Sequence, residues 1–245
     1  MKRLLTVFAT AVVAMAFAFG AKAQISVGAG YGLAAHINTY IGSDGAALDD
    51  EDEDLNGFYI KVSYNLDLLS GNWGMLSLQP GVTYSYYGTS ESESEELLGV
   101  KAYAKTTFNE HYLDIPVNAR YSYDILPGTL KVSAFAGPVF SFGLSSTGVA
   151  RVEAGDNWTK TTTNYYTGTI TTKGNMGGVS VDKTEKGDGT GYGMFDLKLG
   201  LGLAVTAFDK IDLKFAYNIG LLDRMKAEKV RLNTNIFTVG VAWNF

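Results

Sequence analysis

The chain of 245 residues has no cysteine, which excludes disulfide frameworks, thiolate metal sites, cysteine nucleophiles and lipid attachment on an amino-terminal cysteine. Histidine is nearly absent too: two residues, His36 and His111, make a multi-histidine metal centre improbable. Basic residues are outnumbered, 20 Lys and Arg against 25 Asp and Glu, so the net charge is −5 and a nucleic-acid partner is not expected. Proline is scarce, at four residues, and charged residues make up only 18%. What is abundant is apolar material: 46% hydrophobic and 13% aromatic residues, too much for a disordered chain. Glycine is plentiful at 29 residues.

The first segment reads as a secretory signal peptide. Met1-Lys2-Arg3 supplies a positive start, an apolar run extends from Leu4 to Gly20, and Ala21-Lys22-Ala23 has the small-x-small form of a cleavage site. A membrane anchor needs roughly 20 apolar residues, and this run is shorter. The expected division is therefore residues 1–23 as a cleaved signal peptide and 24–245 as one exported domain. Cleavage removes three basic residues and brings the net charge to −8.

No later segment has a helical period. Period-two alternation recurs instead, the pattern of a strand whose two faces differ. Ile211, Leu213, Phe215, Tyr217, Ile219 and Leu221 oppose Asp212, Lys214, Ala216, Asn218 and Gly220. Phe195, Leu197, Leu199, Leu201, Leu203 and Val205 oppose Asp196, Lys198, Gly200, Gly202, Ala204 and Thr206. Six further stretches, starting near Ile25, Phe58, Leu76, Leu113, Val132 and Phe237, follow the same rule.

A soluble sandwich would bury the apolar phase, whereas a membrane barrel turns it toward lipid. Three features favour the barrel. The apolar phase of all eight stretches carries no charge. The opposite phase is rich in Gly and Ala, which suits a narrow interior. Connections alternate, with short ones near 69–73, 126–128 and 208–210 and long ones near 42–56, 88–110, 145–193 and 222–231. The expected fold is all-β: an eight-stranded antiparallel, up-and-down transmembrane barrel with short periplasmic turns and long outer loops. Pro80, Pro116 and Pro138 fall inside proposed strands, and a shift of register by one residue is expected at each.

The stretches LSLQPGVTYSYYG (76–88), HYLDIPVNARYSY (111–123), SAFAGPVFSFGL (133–144) and the closing FTVGVAWNF resemble the PorT-like outer-membrane β-barrel family of Bacteroidetes-type bacteria. The resemblance spans essentially the whole mature chain. It implies an eight-stranded barrel in the outer membrane of a Gram-negative bacterium and lends no catalytic residue or cofactor. The long segment 145–193 matches no family pattern. Phe237, Val239, Val241, Trp243 and Phe245 resemble the terminal signal read by the barrel-assembly machinery.

Several residue groups invite a chemical reading. Lys61, Asp67, Asp114, Arg120, Lys131, Asp196, Lys198, Asp212 and Lys214 lie on the polar phase, five basic and four acidic. Nearly balanced charge inside a narrow barrel is expected to pair internally and plug the lumen, because an unpaired buried charge costs several kcal/mol. A narrow ion or proton path is the alternative. His36 and His111 sit toward the outer ends of their strands, where lipid-A-modifying enzymes of this class carry a histidine, but neither has a nearby His-x-Ser pattern. An enzyme is therefore not expected. Asp50, Asp52 and Asp54 have calcium-loop spacing, yet the sixth and twelfth positions are Leu55 and Lys61, so the match fails and an acidic solvated loop is expected. The serine-rich acidic stretch 90–96 reads likewise. The Gly28-x-Gly30-x-Gly32 and Gly200-x-Gly202 repeats open no helix and are not phosphate loops. Tyr31, Tyr64, Tyr84, Tyr121, Tyr217 and Trp243 are expected in interfacial girdles. Trp158, Tyr165 and Tyr166 in segment 145–193 are the candidate contacts for an extracellular ligand or protein partner. Outer-membrane lipid and lipopolysaccharide complete the expected partners.

Overall fold

The computed structural model describes residues 24–41, 47–97, 100–187, 191–225, 227 and 229–245. The segment expected as a signal peptide lies outside them. Among the described residues every regular element is a strand: β1 (Gln24–Ile41), β2 (Ala47–Gly71), β3 (Gly74–Leu97), β4 (Val100–Leu126), β5 (Leu130–Ala154), β6 (Asn157–Asn164), β7 (Thr169–Met176), β8 (Val179–Lys186), β9 (Phe195–Ala207), β10 (Ile211–Gly220) and β11 (Val230–Asn244). All pairings are antiparallel. The order is β4-β3-β2-β1-β11-β10-β9-β5-β6-β7-β8, and β4 also pairs with β5.

β1 shows why these sequences form strands. It pairs on one side with β11, from Ser26 opposite Asn244 to Tyr40 opposite Val230, and on the other with β2, from Gln24 opposite Asn65 to Ile41 opposite Ala47. Each backbone group therefore has a partner on one flank or the other. Outward side chains are apolar and exposed, with Leu203 62% and Val241 53% exposed, while Lys198 and Asp212 on the inward phase are buried. Polar residues outnumber apolar ones among the buried, described side chains. A sheet in water has the opposite arrangement, so this inversion is the mark of a lipid-facing surface. Tyr31, Tyr121, Tyr217 and Trp243 are exposed as girdle residues should be, whereas Tyr64 is buried.

Two inward rings occupy the space that glycine leaves. Phe135 sits against Gly202, and Tyr59 lies over Gly30 and Gly240, where added Cβ atoms would collide with the rings. The β9–β10 turn is unusual in another way. Phe208 and Asp209 both have positive φ, 53° and 56°, and Lys210 N–H donates to Ala207 O at 3.0 Å. That is the mirror-image hairpin turn that normally selects Asn-Gly.

Three expectations change. The prolines cause no register slip: β3–β4 pairing lapses between Pro80 and Thr83, and β4–β5 pairing between Pro116 and Ala119, with the same register resuming. Pro138 simply stays paired with Leu199. The shifts fall elsewhere, at Asp67/Leu69, His111/Tyr112, Asp124/Leu126 and Tyr40/Ile41, because a missing N–H removes one bond without adding a residue. Second, much of the expected loops 42–56 and 88–110 is strand. The acidic run is paired to β1, with Glu53 opposite His36, and 90–96 is paired to β4. Third, segment 145–193 continues β5 and adds β6, β7 and β8 as an antiparallel extension. These additions make eleven strands where eight were expected.

Candidate functional site

The inward phase carries two polar clusters separated by a small cavity. The inner cluster is centred on Asp212, which is fully buried. Asp212 Oδ1 accepts from Thr206 Oγ1 at 2.7 Å and Asn244 Nδ2 at 2.9 Å, while Oδ2 lies 3.1 Å from both Arg120 Nη1 and Lys214 Nζ. Arg120 Nη2 donates further to Ser133 Oγ and Thr206 Oγ1. β4, β5, β9, β10 and β11 each contribute, because two-residue periodicity aims every other side chain at the axis.

Above it lies a cavity of about 60 Å³. Lys61, Lys214, Asp114, Asn118, Tyr59 and Tyr87 are among its lining residues. Asp114 Oδ1 and Asn118 Oδ1 are buried without a protein partner, so the cavity is polar and suited to water. Toward its outer end Lys198 Nζ donates to Ser141 Oγ at 3.0 Å and stands 4.7 Å from the Tyr112 ring centre. Asp196 is buried and accepts from the Leu222 N–H at 3.4 Å.

The outer cluster lies just beyond the apolar band, which on β4 begins at Leu113. Arg224, from the β10–β11 connection, is 2% exposed. It donates to Tyr112 Oη at 2.6 Å, Thr234 Oγ1 at 2.9 Å, Tyr166 Oη at 3.2 Å and Glu110 Oε1 at 3.4 Å. His36 Nε2 is 2.9 Å from Glu110 Oε2, and Tyr112 Oη donates to the same oxygen. Burial alone would raise the Glu110 carboxyl, but His36, Arg224 and the Tyr112 hydroxyl together hold it down to about 2. Burial pushes Tyr166 and Tyr192 above the ordinary phenol range, with the Glu110 charge adding to it. Arg224 is held firmly charged: burial opposes this, and Tyr112 and Glu110 outweigh it.

An apolar layer packs beside this cluster. Ala34, Leu55, Tyr87, Phe108, Tyr112 and Ile236 pack together, with Tyr165 and Tyr192 against them. The Tyr165 and Tyr192 rings stack at 4.8 Å and 7°. Asn164 shapes the turn that delivers them, its Oδ1 accepting from the Tyr166 and Thr167 N–H groups at 3.1 Å each.

Seven of the nine sequence-selected charges line the lumen between these points. Two do not. Asp67 is exposed at the inner end of β2, where the Asp67/Leu69 bulge ends the alternation. Lys131 sits at the inner mouth with Asp209 at 3.1 Å and Asp124 at 3.6 Å, both half-exposed. Phe237, Val241, Trp243 and Phe245 face outward along β11, with Val239 in the same phase. Of the candidate loop contacts, only Trp158 is exposed. Tyr165 and Tyr166 turn down onto the outer cluster, because the Asn164 turn points them at the mouth. His111 lies outward, its Nδ1 2.7 Å from the Tyr84 hydroxyl.

Arg224, Glu110, Tyr112 and Tyr192 were not apparent from the sequence. Glu110 and Tyr112 flank His111 on the polar phase, their one visible signal, while nothing local points to Tyr192 or links Arg224 to a glutamate 114 positions away.

The family model described as outer membrane protein beta-barrel domain matches residues 19–225. No curated protein matches. Among solved structures, the chain is similar to Ail, the attachment invasion locus protein of Yersinia pestis, in complex with the heparin analogue sucrose octasulfate: 14% identity, 92% of this chain and 100% of that one, TM-score 0.36. It is similar to Neisserial surface protein A at 15% identity, covering 90% and 97%, TM-score 0.38. The outer membrane protease OmpT from Escherichia coli matches at 10% identity, covering 91% and 96%, TM-score 0.31.

Proposed function

Since this chain belongs to the outer membrane protein beta-barrel domain family, and so resides in the outer membrane of a Gram-negative bacterium, we propose that it is a plugged, non-enzymatic barrel whose outer strands present a binding surface. The membrane ring in this reading has eight strands: β1, β2, β3, β4, β5, β9, β10 and β11. Supporting it are the continuous pairings from β4 through β1 and β11 to β5, together with the β4–β5 pairing. β6, β7 and β8 then belong to the outer surface. The PorT-like motifs support that branch of the family, and in this reading signal cleavage leaves a mature chain starting at Gln24.

The observation that carries the plug is the buried outer cluster: Arg224, Glu110, His36 and Tyr112 fill the mouth beneath a stacked tyrosine pair. The buried Asp212 cluster at the other end, and the small size of the 60 Å³ cavity between the two, support the same reading. Both histidines are engaged, His36 with Glu110 and His111 with Tyr84, which supports a structural role for each.

Planar-bilayer recording tests the reading. The purified protein should give no discrete conductance steps; steady ion steps from the unaltered chain would overturn the plug. Faster migration of unheated than heated sample on a denaturing gel is the expected signature of the folded barrel. Mass measurement of the membrane-extracted chain should begin at Gln24.

A further inference from the structure

The outer extension ends in an open edge. β8 pairs with β7 from Val179 opposite Met176 to Lys186 opposite Thr169, and no described strand covers its other side. One bond sets which groups point outward. Gly187 N–H donates to Gly168 O, directly opposite in this register, at 2.8 Å. Bonded and non-bonded pairs alternate along an antiparallel ladder. Val179, Val181, Lys183 and Glu185 therefore bond to β7. Ser180, Asp182, Thr184 and Lys186 aim their N–H and C=O groups away from it, as a template for another strand.

Lysines and other charges commonly guard such an edge, because a like row repels its own copy. β8 has a different pattern: Asp182, Lys183, Glu185 and Lys186 flank Thr184, and all five are exposed. Only outward-aimed groups can bond to one another, so two copies can slide past each other only in steps that keep that set facing itself. Centring the pair on Asp182, Lys183 or Glu185 places that residue against its own charge. Centring it on Thr184 sets Lys183 opposite the second copy's Glu185 and Asp182 opposite the second copy's Lys186, with both relations repeated by symmetry. No like charges meet.

We propose that the β8 edge pairs antiparallel with the β8 edge of a second copy of this chain, about a two-fold axis passing between the two Thr184 residues. Thr184 exchanges both backbone bonds with its counterpart, and Asp182 does so with the second copy's Lys186. Lys183 and the second copy's Glu185 form a non-bonded pair, where side chains approach more closely. The contact is short and therefore transient. The inference rests on the proposed barrel with β8 outside the membrane, so gel migration of every variant before and after heating checks that reading separately.

The absence of native cysteine makes the test direct. Thr184→Cys in proteoliposomes should yield a covalent dimer on mild oxidation, because facing Cα atoms in a bonded pair lie about 5.5 Å apart. Thr167→Cys, on an exposed turn off this edge, should remain monomeric. Adding Lys183→Glu to Thr184→Cys should reduce the dimer at least about fivefold, and adding Glu185→Lys as well should restore it. A Thr184→Cys dimer yield no higher than that of Thr167→Cys, or one indifferent to Lys183→Glu, would overturn the proposal.

Discussion

The same strands obey opposite rules at their two ends. Within the apolar band, Leu203, Phe215 and Val241 face out while Lys198, Asp212 and Lys214 are buried. Above it, the inward positions become Leu55, Phe108, Leu232 and Ile236, and the outward ones become Asn56, Asn109, Asn233 and Asn235. The backbone period does not change; the solvent does. Lipid rewards apolar side chains on the outside, whereas water rewards them in the centre. The molecule is thus an inverted barrel continued by a conventional small core, with the Arg224 cluster at the junction.

The sharpest way to break this comparison is Asp212→Ala. Removing the carboxylate that contacts both Arg120 and Lys214 leaves two buried cations, and should cost about 3–5 kcal/mol. Urea titration in detergent, followed by the gel shift, should show the whole barrel weakened. Arg224→Met is the counterpart above the band. It removes donors to Glu110, Tyr112, Thr234 and Tyr166 and should cost about 2 kcal/mol, confined to the outer core. Protease should then cut within 145–193 while the gel shift persists.

Acid sharpens the same contrast. Glu110 is held down to about 2 against an ordinary 4.5, so its stabilising charge is fully present above the ordinary value and is lost as pH falls toward 2. Protease sensitivity of 145–193 should rise across that window, and Glu110→Gln should abolish the dependence. The smallest effect is expected at the inner turn. Phe208→Asn with Asp209→Gly relieves two positive-φ positions and should stabilise by about 1 kcal/mol, read as a higher urea midpoint.

The alternation was readable wherever an apolar phase faced lipid, as in β9, β10 and β11. It faded where water took over. Glu91, Glu93 and Glu95 alternate only with serine or glutamate, so nothing in the stretch distinguishes strand from loop; pairing with β4 makes it a strand. The lumen charges were found because each interrupts an apolar alternation. Asp67 was misplaced because the inner bulge ends that alternation before its phase matters. Arg224 was invisible for a different reason. Its partners lie on β4, β11 and the β6–β7 turn, and only the closed packing of those segments brings them together.

β5 has 25 residues, of which a membrane crossing consumes roughly 9–11. At the far tip of the extension it supports, Gly177 and Gly178 both have positive φ, and a side chain added at Gly178 would meet nothing within 4 Å. Foreign peptide spliced at that glycine pair would project from the end of a stranded stalk without disturbing the lipid-facing band, making the tip a natural display platform.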